Sequence, residues 1–270
     1  GTSAPELVVC TVAALGGNPD LAIGNVMGSN LANIGLILGV TALVRPLDVR
    51  ERVVWREMPL MLLVTLALYP LAWDGVLSRG DGVLLLFALV AYLIFVFYSV
   101  EDEAPEILGE YEEFMKESDR TTSLVSGTDV LWVIAGSACL VLGGICIVAG
   151  AVEIASSLGI SEVVIGLTVV AVGTSLPELA TSLVAALRSE ADIAVGNVIG
   201  SNIFNVAAIL GTASVVSPLA IPSHVLTREL AVVVGMSLLL FPILRTRWRI
   251  RRWEGALLLA CYVGAVTWLL

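Results

Sequence analysis

The sequence has few charged residues: Asp, Glu, Lys and Arg make up 14% of its 270 positions, whereas hydrophobic residues make up 58%. A soluble domain usually carries about 25% charged residues. A chain with so few would expose large apolar patches to water, so this scarcity argues against a water-soluble fold. In a lipid bilayer the same apolar surfaces are the solvated ones.

Histidine and cysteine are also scarce, which argues against two kinds of site. The one histidine, His224, falls in a short predicted loop, whereas an intramembrane serine protease needs a base near its serine. The four cysteines lie in apolar stretches without metal-type pairing, and we interpret them as small packing residues. We therefore expect a protein that is not an enzyme, without a cofactor or a nucleic-acid partner. Nothing in the sequence indicates an obligate protein partner.

Long apolar runs recur along the chain and predict an all-α membrane protein. A helix needs about 20 apolar residues to cross about 30 Å of hydrocarbon. Such spans are predicted at residues 21–44, 57–73, 82–100, 129–151, 160–187, 193–216, 226–244 and 254–270. The apolar residues 1–15 are too few to span a bilayer alone.

The basic residues predict the orientation of these spans. Of the 14 Lys and Arg residues, 12 fall on one face, and only Arg79 and Arg228 fall on the other. Because basic loops stay in the cytoplasm, the loops 45–56, 101–128 and 245–252 are expected there. The protein is expected to be a multi-pass protein of the plasma (inner) membrane. Nine of the 24 acidic residues lie between Glu101 and Asp119, which indicates a solvated acidic linker over residues 101–128.

The strongest pattern is an internal repeat. Residues 1–40 and 173–212 align without a gap at an offset of 172, and 22 of the 40 positions are identical. The helix with Glu6 and the helix with Glu178 are an odd number of spans apart, so the two copies run in opposite directions. Inverted repeats related by a pseudo-two-fold axis in the membrane plane are typical of secondary transporters.

Each copy of the repeat places polar side chains inside an apolar segment. Glu6 and Glu178 are predicted at membrane depth, where a carboxylate is costly and therefore a functional candidate. Helical spacing puts the first three residues of each set on one face of a helix and the last two, four residues apart, on the next helix; the sets are Thr2, Ser3, Glu6, Ser29, Asn33 and Thr174, Ser175, Glu178, Ser201, Asn205. Each repeat thus presents hydroxyl, carboxylate and amide oxygens together. Oxygen atoms are the ligands that hard cations such as Ca²⁺ require. For Ser29 and Ser201 a packing role and a ligand role both stay open.

Other residues of the repeat have structural interpretations. Pro5 and Pro177 lack an N–H and clash with the carbonyl four residues earlier, so each is expected to kink its helix beside a glutamate. Asn30 and Asn202 are interpreted as residues that form hydrogen bonds between helices. Small residues usually allow membrane helices to pack closely, and this is our interpretation of Gly24, Gly28, Gly196 and Gly200.

The motifs GTS-x-PE and GN-x-x-GSN-x-x-N, each present twice, resemble the paired repeats of the cation/Ca²⁺ exchangers, most closely the prokaryotic Na⁺/Ca²⁺ exchangers. The resemblance covers essentially the whole chain. It implies two inverted repeats of about five transmembrane helices each, around a central chain of sites for transported Ca²⁺ and Na⁺. By position it assigns the ligands Thr2, Ser3, Glu6, Ser29, Asn33, Ala171 (through its carbonyl), Thr174, Ser175, Glu178, Ser201 and Asn205.

Two features depart from the family's pattern. Some members carry Asp where this chain has Asn205, and an acidic residue there accompanies K⁺ transport, so exchange here is expected not to require K⁺. The second half holds 44 residues, 129–172, ahead of its GTS motif, whereas nothing precedes Gly1. We therefore expect a first repeat that lacks its N-terminal span and half of the next. The predicted domains are residues 1–100, the truncated first repeat; 101–128, the linker; and 129–270, the second repeat.

These observations predict an antiporter that exports Ca²⁺ in exchange for Na⁺ by alternating access. Glu6 and Glu178 supply two negative charges, which balance one Ca²⁺ or two Na⁺. An empty site would leave both charges uncompensated, so the site should reorient only when cations or protons occupy it. A Ca²⁺/H⁺ antiporter is the alternative, because the same carboxylates could return protonated. A cation channel is more distant, since channels usually build their pores from several subunits.

Overall fold

A computed structural model describes residues 2–101 and 162–269, together with isolated positions between 128 and 159. Residues 102–127 of the predicted acidic linker and most of the predicted span 129–151 lie outside the described residues.

The described helices follow the predicted apolar runs. The first half contains α1 (Ala4–Leu15), α2 (Pro19–Val44), α3 (Val53–Leu71) and α4 (Arg79–Glu101). The second half contains α5 (residues 162–174), α6 (Leu176–Leu187), α7 (Ala191–Val216), α8 (Val225–Arg245) and α9 (Arg252–Leu269). By length and apolar composition, five helices of the described part can cross a membrane, or six if the bent pair α5 and α6 forms one span.

In the part of the chain that the structure describes, four two-residue strands, which the sequence did not predict, join the two halves. Strand β1 (Leu47–Asp48) pairs antiparallel with β4 (Arg249–Ile250), and β2 (Val76–Leu77) pairs antiparallel with β3 (Leu219–Ala220). The repeat relates β1 to β3 and β2 to β4, so exchanging the halves turns one pair into the other. The two pairs lie at opposite ends of the bundle, because β1 precedes α3 and β2 follows it. The inverted symmetry predicted from residues 1–40 therefore extends to the connections.

The arginine-rich connections meet at the β1 end of the bundle. Arg45 Nη1 donates a hydrogen bond to the Leu187 carbonyl at 3.0 Å, and Arg50 pairs with Asp192 at 2.7 Å. The connection 245–252 joins them through the β1–β4 pair. The connections 45–56 and 245–252 and the turn at Arg188 therefore share one face, as predicted, whereas the acidic linker lies outside the described residues.

The kink predicted at Pro177 is confirmed. Helices α5 and α6 are bent by 49° where they meet at Ser175, and Pro177 lies in the first turn of α6. Pro5 has the same position in α1, directly after Ser3. Proline is tolerated in a first turn because its missing N–H would have no partner in the helix. Both glutamates consequently follow a helix start within the bundle.

Five π-helical turns occur among the described residues, and they follow the repeat. Two begin at Asn33 in α2 and at Asn205 in α7. Two more open α3 and α8, over Val53–Glu57 and Val225–Glu229, and the fifth lies in α5 just before Ala171. Isolated π turns change the direction of side chains along a helix and are frequent at functional sites.

The predicted role of the repeat's glycines is confirmed in the first half. A Cβ atom on Gly28 would lie 2.2 Å from the carbonyl oxygen of Leu167 in α5. A Cβ atom on Gly166 would lie 3.3 Å from the Cα atom of Gly24. Only glycine lets α2 and α5 approach this closely.

In the second half the same interpretation stays a prediction. A Cβ atom on Gly196 or Gly200 would meet no described atom within 4 Å. These glycines instead line a groove of about 330 Å³ between α1 and α7, which reaches Ser3 and Ser201. The reason is that α5 covers the glycines of α2, whereas the described residues place no equivalent helix on α7.

Candidate cation site

The predicted ligand residues converge where α1, α2, α6 and α7 meet. Both Glu6 and Glu178 are 1% exposed, and each lies in the first turn of its helix, α1 or α6. The positive end of a helix dipole stabilises a carboxylate at this position. All eleven predicted residues are buried except Thr2, which is partly exposed.

Two serines link the glutamates across the repeat. Ser3 Oγ donates a hydrogen bond to Glu178 Oε1 at 2.8 Å, and Ser175 Oγ donates one to Glu6 Oε1 at 3.1 Å. Each carboxylate is thus bound by the serine that precedes the other glutamate's helix. This exchange brings the two carboxylates into one cluster, as the inverted repeat predicts.

The serines of α2 and α7, for which the sequence left two roles open, differ from each other. Ser201 Oγ donates to Glu178 Oε1 at 3.4 Å and lies 3.3 Å from Ser3 Oγ. Ser29 Oγ is fully buried, and no described residue forms a hydrogen bond with it. The two halves therefore contribute a bonded and an unbonded hydroxyl at equivalent positions.

The threonine hydroxyls are oriented by asparagines that the sequence analysis did not single out. Thr174 Oγ1 donates to Asn25 Oδ1 at 3.2 Å, and Thr2 Oγ1 donates to Asn197 Oδ1 at 3.4 Å. A hydroxyl has one proton and two lone pairs. Because the proton goes to the asparagine, the lone pairs remain available to another partner.

The asparagines are themselves held by a thiol and a hydroxyl. Asn25 Nδ2 donates to Cys10 Sγ at 3.1 Å, and Asn197 Nδ2 donates to Ser182 Oγ at 3.2 Å. Cys10 is buried, as predicted, but it is also a hydrogen-bond acceptor, so packing alone does not describe it. The signal that could have found this network is the identity of a polar residue, Asn25 and Asn197, within an apolar repeat.

Four asparagines form a second network between α2 and α7. Asn33 Nδ2 donates to Asn202 Oδ1, and Asn205 Nδ2 donates to Asn30 Oδ1, both at 2.9 Å. The prediction that Asn30 and Asn202 form hydrogen bonds between helices is confirmed. Their contacts also use the amide nitrogens of Asn33 and Asn205, which leaves the Oδ1 atoms of those two residues free.

Backbone carbonyls determine the orientation of this network. Asn30 Nδ2 donates to the carbonyl oxygen of Asn202 at 3.5 Å, and Asn202 Nδ2 donates to the carbonyl oxygen of Asn30 at 3.4 Å. With its nitrogen directed to a carbonyl, each of these amides must present Oδ1 to its other neighbour. The main chain therefore controls, through one intervening side chain, how the amides of Asn33 and Asn205 are turned.

Buried oxygens without partners are concentrated in this cluster. Among the described residues, seven buried side-chain oxygens receive no hydrogen bond, and five belong to predicted ligands: Glu6 Oε2, Glu178 Oε2, Ser29 Oγ, Asn33 Oδ1 and Asn205 Oδ1. No described basic residue forms an ion pair with either glutamate. Buried polar atoms are normally paired, and unpaired buried charge is very costly. Chemically, the cluster is suited to a hard cation.

Ala171 differs from the other predicted ligands. Its carbonyl oxygen accepts a hydrogen bond from the Ser175 N–H at 3.0 Å, and Thr174 Oγ1, whose one proton goes to Asn25, lies 3.3 Å from it. A carbonyl has two lone pairs, and the Ser175 N–H uses one of them here. This oxygen has less capacity for a cation than the five unpaired ones.

The fold and the paired carboxylates define a membrane cation exchanger built from inverted repeats. The family described as "Sodium/calcium exchanger protein" matches residues 1–98 and 128–270. The chain belongs to this family. It is therefore a multi-pass, all-α membrane protein of the cation/Ca²⁺ exchanger type, and the resemblance seen in its motifs is confirmed.

Relatives and solved structures agree with this placement. The putative antiporter CaxA of Alkalimonas amylolytica is 40% identical over 269 residues, which cover 98% of this chain and 83% of CaxA. The sodium/calcium exchanger MaX1 of Methanosarcina acetivorans is 33% identical over 295 residues, covering 98% of this chain and 84% of MaX1. A solved structure of the sodium-calcium exchanger NCX_Mj, soaked with Na⁺ and Ca²⁺, matches with a TM-score of 0.76 at 34% identity. It covers 100% of this chain and 83% of that one.

Proposed function

We propose that this protein exports Ca²⁺ in exchange for Na⁺ and that both ions bind, in turn, at the cluster around Glu6 and Glu178. The observation that supports this most directly is the set of five buried oxygens without hydrogen bonds. They comprise carboxylate, amide and hydroxyl oxygens, which are the ligand types that Ca²⁺ accepts. The remaining predicted ligands, Thr2, Ser3, Ala171, Thr174, Ser175 and Ser201, surround them.

The charge of the cluster explains why ions should be exchanged rather than leak. With no cation, two carboxylates would be left together in a core that contains no described counter-charge. The free-energy cost of that state is high. The protein should therefore convert between its inward-facing and outward-facing forms only when the site holds one Ca²⁺, two Na⁺ or protons. A transporter that can return only when loaded is an obligatory exchanger.

The test is Ca²⁺ uptake into vesicles that contain the purified protein. At equal pH on both sides, an outward Na⁺ gradient should drive uptake of ⁴⁵Ca²⁺, and vesicles without Na⁺ should show little. Vesicles without the protein give the background. Uptake that follows a pH gradient without Na⁺ would establish the Ca²⁺/H⁺ alternative. Ca²⁺ flux that needs no counter-gradient would establish a channel.

We also propose that the arginine-rich end faces the cytoplasm of a plasma (inner) membrane, as the excess of basic residues there predicts. Single cysteines placed in the loops 45–56, 101–128 and 245–252 of a cysteine-free variant should resist an impermeant thiol reagent added to intact cells. A cysteine in the connection 217–224, at the other end, should react. Rapid labelling of the 245–252 loop would reverse the orientation.

A further inference from the structure

Helices α3 and α4 leave an apolar groove of about 700 Å³ between them. Several of its lining residues have small or cyclic side chains that leave space between the helices, among them Pro59, Ala67 and Ala88. Leu63 on one wall is 63% exposed and Leu84 on the other is 55% exposed, so the groove opens to the outer surface of the bundle. It is separate from the carboxylate cluster, to which none of its lining residues belongs.

One end of the groove carries a positive charge. Among the described residues that line it, Arg56 is the one that carries a charge. It lies near the start of α3, at the end of the bundle where the arginine-rich connections meet. Its side chain is exposed, and no described acidic residue forms an ion pair with it.

In the second half, the positions equivalent to Arg56 and Ala67 have different surroundings. At the offset of 172, Arg56 corresponds to Arg228, which lies over the Trp268 ring at 5.2 Å from the ring centroid. Ala67 corresponds to Leu239, which packs against the hydrophobic core. In the second half the arginine thus has an aromatic partner and a larger side chain occupies the position of the alanine. In the first half no described residue takes either place.

We propose that this groove binds one acyl chain of an anionic phospholipid, with the lipid phosphate on Arg56. From Arg56 to Pro70 the groove follows α3 for about 20 Å, at about 1.5 Å per residue. One leaflet contributes about half of the roughly 30 Å of hydrocarbon, so the groove is long enough for a chain that starts at the interface. Clustered arginines at this end favour an anionic headgroup, because basic pockets between membrane helices bind such lipids. The site is independent of the proposed transport reaction.

Lipid binding to the purified protein tests the charge at the groove's end. Native mass spectrometry would compare phosphatidylglycerol with phosphatidylcholine of the same acyl chains. The unmodified protein should bind the anionic lipid more tightly. Arg56→Gln should weaken phosphatidylglycerol binding about fivefold, which is the loss expected for one basic residue at a membrane surface, and should leave phosphatidylcholine nearly unchanged. Arg228→Gln, the equivalent in the other half, should have no effect.

Filling the groove tests its shape. Ala67→Leu introduces the residue that the second half uses, and Ala88→Leu fills the groove from the opposite wall; either should reduce binding of both lipids to the background level. The size-exclusion profile and the helical content identify a misfolded variant. If one of the two variants is misfolded, lipid binding by the other tests the proposal. Unchanged lipid binding in a folded filled variant would overturn the proposal. So would equal binding of the two lipids, or disulfide-linked dimers of Leu63→Cys in a bilayer, which would assign the groove to a second copy of the chain.

Discussion

The two halves of the chain share the serine–glutamate and asparagine–asparagine contacts of the carboxylate cluster and form different contacts away from it. The bond from Ser3 to Glu178 has its counterpart from Ser175 to Glu6, and the two asparagine bonds between α2 and α7 are equal at 2.9 Å. In each of these contacts a residue of one half bonds to a residue of the other half. A change in one half therefore alters the environment of the other half as well.

Away from the axis the halves have diverged. Cys10 occupies the position that Ser182 has in the second half. The side chains differ, although each donates a hydrogen bond to the equivalent main-chain carbonyl at 3.4 Å. Arg56 and Arg228, which lie at opposite ends of the bundle, have different surroundings. The comparison indicates that the symmetry is maintained by shared contacts and is relaxed where each half packs only against itself or lipid.

Replacing a glutamate of the cluster should have the largest effect. Glu178→Gln removes one of two anionic ligands and little volume, so Ca²⁺ transport should fall by more than about 100-fold, beyond the 10–100-fold typical of outer-shell partners of a metal. Glu6→Gln should do the same, because the two carboxylates occupy equivalent positions. Uptake of ⁴⁵Ca²⁺ in vesicles measures both.

The exposed Glu190 provides a matched control, since Glu190→Gln changes the same functional group outside the cluster. It should transport normally. If Glu178→Gln is well folded and retains near-normal uptake, its proposed role is wrong. If only one of the two cluster variants is inactive, the functional equivalence of the halves is wrong.

The asparagines that orient Asn33 and Asn205 should have the next largest effect. Without Asn30 or Asn202 the neighbouring amide can rotate and present its nitrogen to the cation. Asn30→Ala and Asn202→Ala should each raise the Ca²⁺ concentration for half-maximal transport about tenfold, as loss of a second-shell partner does. Because rotation leaves the carboxylates in place, the maximal rate should change less.

Ser237→Ala is the control for this experiment, because Ser237 is a buried hydroxyl in α8 that donates to the Val233 carbonyl, outside the cluster. It should leave the Ca²⁺ dependence unchanged. Equal losses of affinity and maximal rate in both asparagine variants would point to general destabilisation instead of orientation.

Replacing a repeat glycine by alanine should lower the thermal stability in the first half and leave it nearly unchanged in the second. In Gly28→Ala the added methyl group would lie 2.2 Å from a backbone oxygen and 2.6 Å from Ala171 Cβ. Overpacking of this kind costs about 1–3 kcal/mol, so the midpoint of thermal unfolding in detergent should fall. Gly200→Ala meets open space and should leave the midpoint nearly unchanged. A similar fall in both variants would mean that α7 is packed as closely as α2.

The smallest effect is expected from K⁺. Asn33 and Asn205 both present neutral amides, and an amide oxygen without charge should hold an additional monovalent ion poorly. Exchange in Na⁺-loaded vesicles should therefore be the same with and without K⁺. In Asn205→Asp transport should depend on pH, because a carboxylate can bind a proton and an amide cannot. Inactivity of the unmodified protein until K⁺ is added would refute this role of Asn205.

The sequence predicted the apolar helices, the inverted repeat and the clustering of Glu6 with Glu178, because these follow from hydropathy and from identities between residues 1–40 and 173–212. It also predicted the bend at Pro177, since proline restricts the backbone locally. The strands β1 to β4 were missed, because a two-residue strand leaves no periodic pattern. Close packing at Gly196 and Gly200 stays a prediction, because no described residue lies within 4 Å of a Cβ atom built there.

Amino-acid identity by itself therefore determined that this chain enters a membrane, that it folds as two opposed copies and that each copy carries one carboxylate among oxygen donors. Only the tertiary structure decided which oxygens remain unpaired. Asn205 and Asn202 are both asparagines of one helix, yet one directs Oδ1 into the cluster and the other uses it to hold Asn33. That difference depends on which amides and carbonyls α2 places opposite them, and such partners come together only when the two halves pack.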